Sequence, residues 1–482
     1  MPTPAPETTV VPGVPAGSLV DLPAHRLAAL VGAGEVSAVE VARAHLARVT
    51  EVEPWTRALV RVDAEDVLAQ ASGIDVRRSA GRSTGALAGV PVVLKDNIDV
   101  RGQVTTNGSK AHRPPARTDS EVTRRLRRAG AVVLGRANMD ELALGASTQT
   151  SAFGRSHNPH DPRRSPGGSS GGSAAALAAN EATLSVGTDT GGSIREPASQ
   201  CGVVGMAPSP GLVPMRGVTP FAPGLDRVGP LARSVADAAL LLSVISGRPE
   251  LARCVEGTDD LGAHGLRVGV PAELRGARNQ RGVVARLDAV VDVLRRLGAV
   301  VTPVSAPAAG RALATYMTVT SAAAVPVRTY GVSTGLTGRE VQRRHAWGLE
   351  LLRELPSPLE VAQVARSILH GQVTAALGAC DVLLSPTMPT TAPLLDGHLA
   401  TEDMADPLAA PYTDCWTVVA NLVGLPAISV PSGRSPEDGM PVGTTLMGPP
   451  RTDHRLLRVA AALEAPRYRQ AGVACPGVDP HT

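Results

Sequence analysis

Two glycine- and serine-rich segments in the middle of the chain have the residue types needed for acyl transfer. The first is Ser165–Ser173 and the second is Gly187–Pro197. A serine hydroxyl supplies a nucleophile, and glycines let successive backbone N–H groups approach a developing oxyanion. Residues 190–193 (Thr-Gly-Gly-Ser) combine both features, so the pattern indicates acyl transfer with Ser193 as the nucleophile.

A serine nucleophile needs a base, and the lysine content of the chain indicates one. Of the 47 Lys and Arg residues only two, Lys95 and Lys110, are lysine. Arginine is never deprotonated in proteins, whereas a buried lysine can be the neutral amine that a general base requires. Lys95 ends the apolar run Pro91–Leu94 and is the candidate, while Lys110 is interpreted as a lysine retained by chance. His157 and His160 are interpreted as surface loop residues, and a distant histidine stays open as an alternative base.

Two other interpretations of the glycine-rich segments fit less well. A flexible linker is disfavoured because Ser173 is placed to cap a helix through Ala174–Ala179, and Thr183–Gly187 is typical of a strand. A Walker-type phosphate loop needs a lysine after its glycines, and the chain has none beyond Lys110. Neither segment has the glycine pattern of a dinucleotide fingerprint.

The surrounding sequence predicts alternating strands and helices. Helices are predicted at residues 19–31, 37–49 (with Ser37 as N-cap), 120–129 (with Ser120 as N-cap), 281–297, 358–378, 412–422 and from 453. Strands are predicted at residues 91–94, 131–135, 183–187, 266–270, 299–303, 381–385, 427–431 and 441–447. This order favours an α/β fold. We expect a single large domain over residues 18–470, a Pro-rich flexible leader at 1–17 and a tail at 471–482.

The composition excludes several classes of protein. The 482 residues are 43% hydrophobic with a net charge of +3, which is untypical of disorder and gives little reason to expect nucleic acid. No signal peptide, membrane-spanning stretch or Cys-x-x-Cys pair is present in the sequence, so a cytoplasmic protein is expected. One helix has four arginines, which we interpret as a solvated face in preference to a nucleic-acid patch: Arg124, Arg125, Arg127 and Arg128.

Three segments resemble the amidase signature family of serine hydrolases. Pro91–Asn97 is similar to the family's lysine segment. Gly167–Ser173 and Gly187–Pro197 are similar to its two signature loops, with a spacing of 24 positions from Ser169 to Ser193. The resemblance implies a mixed, mostly parallel sheet between helices, and a cis peptide bond between Gly168 and Ser169. It implies that no metal or cofactor is needed.

The resemblance also implies roles for particular residues. In a Ser-Ser-Lys triad, Ser193 would be the nucleophile, Ser169 the proton relay and Lys95 the base. The backbone N–H groups of an oxyanion hole would come from Thr190, Gly191, Gly192 and Ser193. Asp189 and Arg195 are expected to stabilise the loop rather than to react.

Within the family, further segments resemble the glutamine-hydrolysing A subunit of aspartyl/glutamyl-tRNA amidotransferase. They are Asn138–Thr148, Leu225–Pro230, Glu340–Arg344 and Asn421–Pro426. The resemblance implies that Arg344 binds a substrate carboxylate and Asp414 its amine, a match of opposite charges. The alternative is that each is a helix-surface charge. The chain departs from that subunit over Tyr316–Gly338, which looks shortened and has Ser321–Pro326 in place of an acidic and amide-rich stretch.

The expected function is hydrolysis of a small carboxamide, or transfer of its acyl or ammonia portion, through a seryl acyl-enzyme. A glutamine-hydrolysing subunit of a tRNA-dependent amidotransferase is one alternative, and a catalytically silent binding or assembly subunit is another. The expected partner is a small-molecule amide. Amidotransferase subunits and further copies of the chain stay open as partners, whereas a membrane and direct contact with nucleic acid are not expected.

Overall fold

Alternating strands and helices build one sheet of eleven strands within residues 19–112, 114–256, 263–354, 357–395 and 415–464, which the computed structural model describes. The predicted leader at 1–17 and tail at 471–482 lie outside these residues. No helix in the described ranges is both long enough and apolar enough to cross a bilayer.

The strands are β1 (Leu59–Val62), β2 (Pro91–Lys95), β3 (Val132–Ala137), β4 (Leu184–Asp189), β5 (Val204–Ala207), β6 (Arg227–Ala232), β7 (Arg267–Pro271), β8 (Val300–Val304), β9 (Val382–Pro386), β10 (Ala427–Arg434) and β11 (Pro441–Met447). The helices are α1 (Ala24–Ala33), α2 (Ala38–Thr56), α3 (Ala64–Ser79), α4 (Glu121–Arg128), α5 (Gly171–Ala178), α6 (Arg195–Cys201), α7 (Val235–Ser246), α8 (Glu250–Arg253), α9 (Arg281–Arg296), α10 (Ala312–Ala323), α11 (Val325–Ser333), α12 (Arg339–Arg353), α13 (Ser357–Gly378), α14 (Val418–Val423) and α15 (Asp453–Glu464).

The sheet is mixed, as predicted, and its strand order is β1-β3-β2-β4-β6-β5-β10-β11-β9-β7-β8. Four neighbouring pairs are parallel: β2 with β3, β2 with β4, β7 with β8, and β7 with β9. The other six described pairs are antiparallel, so parallel pairs do not form the majority. The reason is that β6, β10 and β11 are each antiparallel to both of their neighbours in the middle of the sheet.

The apolar residues of these strands and helices are buried in three hydrophobic clusters. The largest joins the sheet to α1, α2, α7, α9 and α15. A second joins α10, α13 and α14 to the neighbouring strands, and a small third one lies between α5 and α6. The glycine- and serine-rich segments are therefore enclosed by packed helices, and the linker interpretation is excluded.

Local sequence explains where several helices begin. Ser37 caps α2 through a reciprocal pair of bonds with Glu40, and the Ser120 hydroxyl accepts the N–H of Thr123 at the start of α4, as predicted. Helix α1 begins later than predicted, at Ala24, because Pro23 precedes its first turn. Only the part of the predicted helix 412–422 from residue 415 onward is described, and there α14 begins at Val418.

The predicted cap at Ser173 is wrong. Helix α5 begins at Gly171, and Ser173 lies inside its first turn. The earlier start follows from contacts with distant parts of the chain: the Ser170 N–H donates to the Ser193 carbonyl, and the Gly171 N–H donates to the Thr148 hydroxyl. Such contacts satisfy N–H groups at a helix start without a side-chain cap from the helix itself.

Candidate active site

The candidate residues meet at one edge of the sheet. Strands β2 and β4 are parallel neighbours, with Leu94 opposite Val186. Lys95 ends β2, and Thr190–Ser193 follow directly after β4, so both lie at the carboxyl ends of these strands. Ligand sites in open α/β sheets form outside such ends.

Lys95 and Ser169 are in direct contact. The Nζ of Lys95 lies 2.7 Å from the Oγ of Ser169 and 3.5 Å from the carbonyl oxygen of Thr188. Both side chains are fully buried. The peptide bond between Gly168 and Ser169 is cis, as the family resemblance implied.

The loop with Ser193 is hydrogen-bonded to the loop with Ser169. The Ser170 N–H donates to the carbonyl of Ser193 at 3.2 Å, and Ser170 Oγ donates to the carbonyl of Thr188 at the same distance. Ser193 is 6% exposed and therefore buried. The structure thus places Lys95 in contact with Ser169, and Ser193 on a loop that is hydrogen-bonded to the residue after Ser169.

Two peptide groups of the predicted oxyanion hole are held by hydrogen bonds to their carbonyl oxygens. The carbonyl of Gly191 accepts from Thr417 Oγ1 at 2.6 Å, and that of Gly192 accepts from the Glu196 N–H at 2.7 Å. In a trans peptide, each N–H points away from the preceding carbonyl oxygen. The N–H groups of Gly192 and Ser193 are therefore each directed away from the bond made by the carbonyl before them. Gly192 has a φ of 146°, a conformation open to glycine.

Asp189 and Arg195 form a buried, bidentate ion pair. Arg195 Nη2 and Nε donate to the two carboxylate oxygens at 2.9 and 3.0 Å, and neither side chain is exposed. Burial by itself raises the pKa of Asp189, but the guanidinium and the amide of Asn421 lower it to about 2. Asp189 also accepts the N–H of Ile194 at 3.2 Å. The pair holds the loop around Ser193, in agreement with the expected structural role.

Two side chains beside this loop, Asp226 and Tyr316, have no role predicted from the sequence. Asp226 accepts from Thr190 Oγ1 at 2.6 Å, and its pKa is raised by burial. Tyr316 of α10 packs on Gly191 so closely that a Cβ there would overlap its ring. Asp226 reaches the loop because β6 pairs antiparallel with β4, which no local pattern predicts. Tyr316 does leave a sequence signal, since it is one of only four tyrosines.

Arg344 is buried on α12, not a surface charge. Its Nη1 lies 3.3 Å from Met317 Sδ, and its guanidinium carbon lies 5.5 Å from the centre of the Trp347 ring. Burial lowers the pKa of Arg344, opposed by the charge of Glu340. Nothing among the described residues accepts a hydrogen bond from its Nε. Asp414, its predicted counterpart in substrate binding, lies outside the described residues.

The other candidate residues named from the sequence are two histidines whose ring nitrogens contact backbone carbonyls, and one exposed lysine. His157 Nδ1 lies 2.6 Å from the Pro162 carbonyl, and His160 Nε2 lies 3.0 Å from that of Cys201. Lys110 is exposed. Across the described residues, no group of three His, Cys, Asp or Glu side chains is placed to hold a metal ion.

The arginines of α4 are largely paired with acidic residues. Arg124 and Arg125 pair with Glu121, and Arg127 with Asp119. This agrees with a solvated face.

Comparison with known proteins agrees with this α/β enzyme architecture. The family model described as Amidase matches residues 40–457. The A subunit of glutamyl-tRNA(Gln) amidotransferase from Acidothermus cellulolyticus is 42% identical, over 94% of this chain and 95% of that protein. The crystal structure of the protein of the same name from Thermotoga maritima is 32% identical with a TM-score of 0.75, covering 95% of this chain and 96% of the other. The peptide amidase of Stenotrophomonas maltophilia is 31% identical with a TM-score of 0.76, covering 94% and 97%.

The chain belongs to the amidase signature family, whose members cleave the C–N bond of amides. The predicted fold class and the predicted enzyme class are therefore confirmed. The family match spans β2, β4 and both glycine- and serine-rich segments.

Proposed function

We propose that Ser193 attacks the carbonyl carbon of a carboxamide, with Ser169 as proton relay and Lys95 as base. The observation that carries this proposal is the 2.7 Å contact between Lys95 Nζ and Ser169 Oγ. Its setting supports it, because the loop with Ser169 is hydrogen-bonded to the loop with Ser193. Burial of an amine disfavours the charged ammonium, and the neutral amine is the form that can accept a proton.

The proposed reaction has two halves. Lys95 accepts the Ser169 proton while Ser169 accepts that of Ser193, and Ser193 Oγ bonds to the carbonyl carbon. The C=O electron pair moves to oxygen, then returns as the C–N bond breaks, and the proton goes back to the leaving nitrogen. This leaves an ester of Ser193 and free ammonia. Water, or another amine, then attacks the ester by the same proton route.

The N–H groups of residues 190–193 stabilise the tetrahedral oxyanion in this proposal. Support comes from the bonds that fix the carbonyls of Gly191 and Gly192, since preoriented donors need no rearrangement when charge develops. The bond from Thr190 to Asp226 and the Asp189–Arg195 pair hold the same loop from its other sides.

We propose that the substrate is a glutamine-like amide with a carboxylate, which Arg344 binds. Among the described residues, the buried Arg344 guanidinium contacts a thioether and an aromatic ring, and its Nε has no hydrogen-bond acceptor. A bidentate contact with a substrate carboxylate is therefore open to it. The role of Asp414 in binding the substrate amine stays a prediction.

Similarity to known proteins makes the amidotransferase subunit the first functional interpretation and the stand-alone amidase the second. Similarity to the A subunits of amidotransferases over almost the whole chain favours a glutamine-hydrolysing role within such an enzyme over a stand-alone amidase for small carboxamides. We therefore propose that the chain acts with other amidotransferase subunits. The stand-alone amidase is the second candidate, supported by comparable structural similarity to a peptide amidase. A cytoplasmic location, self-association and the extent of the domain over 18–470 stay predictions.

Ammonia release tests the proposal. The purified chain is incubated with glutamine, asparagine and neutral aliphatic and aryl amides, and Ser193→Ala is the blank. Release from glutamine well above that from neutral amides supports the amidotransferase role, and preference for neutral amides supports the stand-alone amidase. Release that persists in the blank contradicts Ser193 as nucleophile. If Ser193 is labelled by a fluorophosphonate but no amide releases ammonia, a role that depends on partner subunits is favoured. If neither release nor labelling occurs, the silent binding or assembly role is favoured.

A further inference from the structure

We propose that Asp140 and Glu141 are positioning residues with separate tasks, Asp140 for the loop with Ser169 and Glu141 for the helix with Arg344. The proposal rests on the proposed function, which gives Ser169 and Arg344 their roles. Both carboxylates are buried between these two parts of the site, and the family resemblance assigned neither a role.

Asp140 holds a short loop through five hydrogen bonds. Its carboxylate accepts from the N–H groups of four successive residues and from one hydroxyl, at 2.8 to 3.3 Å: Ser147, Thr148, Gln149, Thr150 and the Oγ1 of Thr150. Its own N–H donates to the carbonyl of Ser169 at 3.3 Å. Burial raises the pKa of Asp140, and the converging N–H groups oppose this shift because they stabilise the carboxylate. These bonds fix the loop around a single side chain.

Thr148 transmits this arrangement to the loop with Ser169. Its hydroxyl donates to the carbonyl of Gly167 at 2.7 Å and accepts the N–H of Gly171 at 3.1 Å. The two bonds hold the chain on both sides of Ser169. We call Asp140 and Thr148 the clamp.

The backbone of Thr148 adopts an unfavourable conformation. Its φ is 54°, a conformation that β-branched residues rarely adopt and that persists where the surroundings fix it. The Asp140 carboxylate supplies that fixation through the Thr148 N–H at 2.8 Å. A Cβ at Gly168 would overlap the same carboxylate, so the clamp and the Ser169 loop are in close contact.

Glu141 makes its contacts on the side of α12. Its Oε2 accepts the N–H of Gly338, which precedes the first turn of α12, at 2.7 Å. Its Oε1 accepts from Ser109 Oγ at 2.5 Å. Arg344 lies on this helix, so Glu141 fixes the end of the element from which Arg344 reaches the site.

The clamp is tested with Thr148→Val, which keeps the shape and removes the hydroxyl. We expect kcat for glutamine to fall about 10- to 100-fold with KM within twofold, because a misplaced Ser169 impairs proton transfer and not binding. Thr148→Ser should restore kcat to within about threefold. The matched control is Thr183→Val, a buried threonine that contacts His45 at the opposite end of β4, and it should leave kcat unchanged.

Glu141 is tested with Glu141→Ala, which we expect to raise KM for glutamine about 5- to 20-fold while KM for a neutral amide stays within twofold. Glu141→Gln keeps an acceptor for the Gly338 N–H and should restore KM. Circular dichroism and thermal unfolding of each variant separate these effects from loss of fold.

Three results overturn the proposal: normal kcat in Thr148→Val, equal losses in Thr148→Val and Thr183→Val, or a Glu141→Ala effect on kcat alone. These results are distinct from failure of the proposed function. In that case the wild type itself releases no ammonia, and Ser193 is not labelled by a fluorophosphonate.

Discussion

The two sides of the site differ in how the chain positions its functional groups. On the nucleophile side, Lys95, Ser169 and Ser193 lie on a strand end and two loops that are buried and bonded to each other. On the substrate side, Arg344 lies on a helix whose placement depends on packing against α10, α11 and α13. Under the proposed function, the reaction chemistry therefore depends on these buried, hydrogen-bonded backbone segments, and substrate choice depends on contacts between helices. This division allows one family to retain its chemistry while substrates change.

Two buried basic side chains, Lys95 and Arg344, illustrate the same contrast. Lys95 contacts a hydroxyl and a carbonyl oxygen, which suits a group that must exchange a proton. Arg344 contacts a sulfur atom and an aromatic face, which suits a group whose partner is a ligand. Substitution of Lys95 and substitution of Arg344 should therefore have different kinetic effects.

The largest effect is expected from Lys95→Arg. A guanidinium is always protonated and cannot act as the neutral base, so kcat for every amide should fall about a thousandfold or more. Steady-state ammonia release measures it, and Lys110→Arg, at the exposed lysine, is the matched control with activity within twofold. Because a buried arginine is larger, Lys95→Met is a second variant with the same expected loss. Near-normal turnover in either buried variant would remove Lys95 from the mechanism.

A smaller and more selective effect is expected from Arg344→Met. A thioether side chain fits beside Met317 and Trp347 but cannot bind a carboxylate, so KM for glutamine should rise about 10- to 100-fold. KM for a neutral aliphatic amide should change less than twofold. The neighbouring Arg343→Met is the control, since Arg343 pairs with Glu340 on the exposed side of α12. Equal losses for charged and neutral amides would contradict carboxylate binding.

The smallest effect on activity is expected at His45, which lies at the opposite end of β4 from Ser193. Its Nδ1 contacts the Glu181 carbonyl at 3.1 Å, and burial lowers the pKa of His45 to about 3. The unfolded chain binds this proton near pH 6.5 and the folded chain does not. Stability is therefore complete above pH 6.5 and is lost as pH falls towards 3, by about 1.4 kcal/mol per pH unit for one proton.

The variant His45→Gln should lose this part of the pH dependence while its activity at pH 7 stays within twofold. Urea unfolding at several pH values between 7 and 4 measures the difference between the two proteins. Parallel stability curves would contradict a buried neutral His45. A large loss of activity would show that the two ends of β4 are not independent.

The sequence predicts the nucleophile side better than the substrate side. Lys95 and Ser193 belong to short segments whose glycine, serine and lysine pattern has a chemical meaning without any fold, and the role of Ser169 is implied by the family resemblance. Helices such as α2 and α9 and apolar strands such as β2 and β3 are predicted for the same reason, because their periodicity is local. Helices α3 and α12 and strands β5 and β6 are not predicted.

What the patterns do not predict depends on long-range pairing. Strand β6 inserts antiparallel between β4 and β5 and brings Asp226 to Thr190, although the two are 36 residues apart. Helix α5 begins at Gly171 because Thr148 and Ser193 supply bonds from elsewhere in the chain. Strand β1 has only four residues, too few for a clear alternation. The clamp likewise becomes visible only when residues 140–150 lie against the Ser169 loop.

Covalent trapping of the nucleophile tests the central claim most directly. The protein is treated with a fluorophosphonate and digested with trypsin, and fragmentation of peptide 165–195 assigns the modified serine among its six serines. We expect a single adduct on Ser193 that forms far more slowly in Lys95→Arg and not at all in Ser193→Ala. An adduct on Ser169 or outside this peptide, or equal labelling rates in wild type and Lys95→Arg, would contradict it.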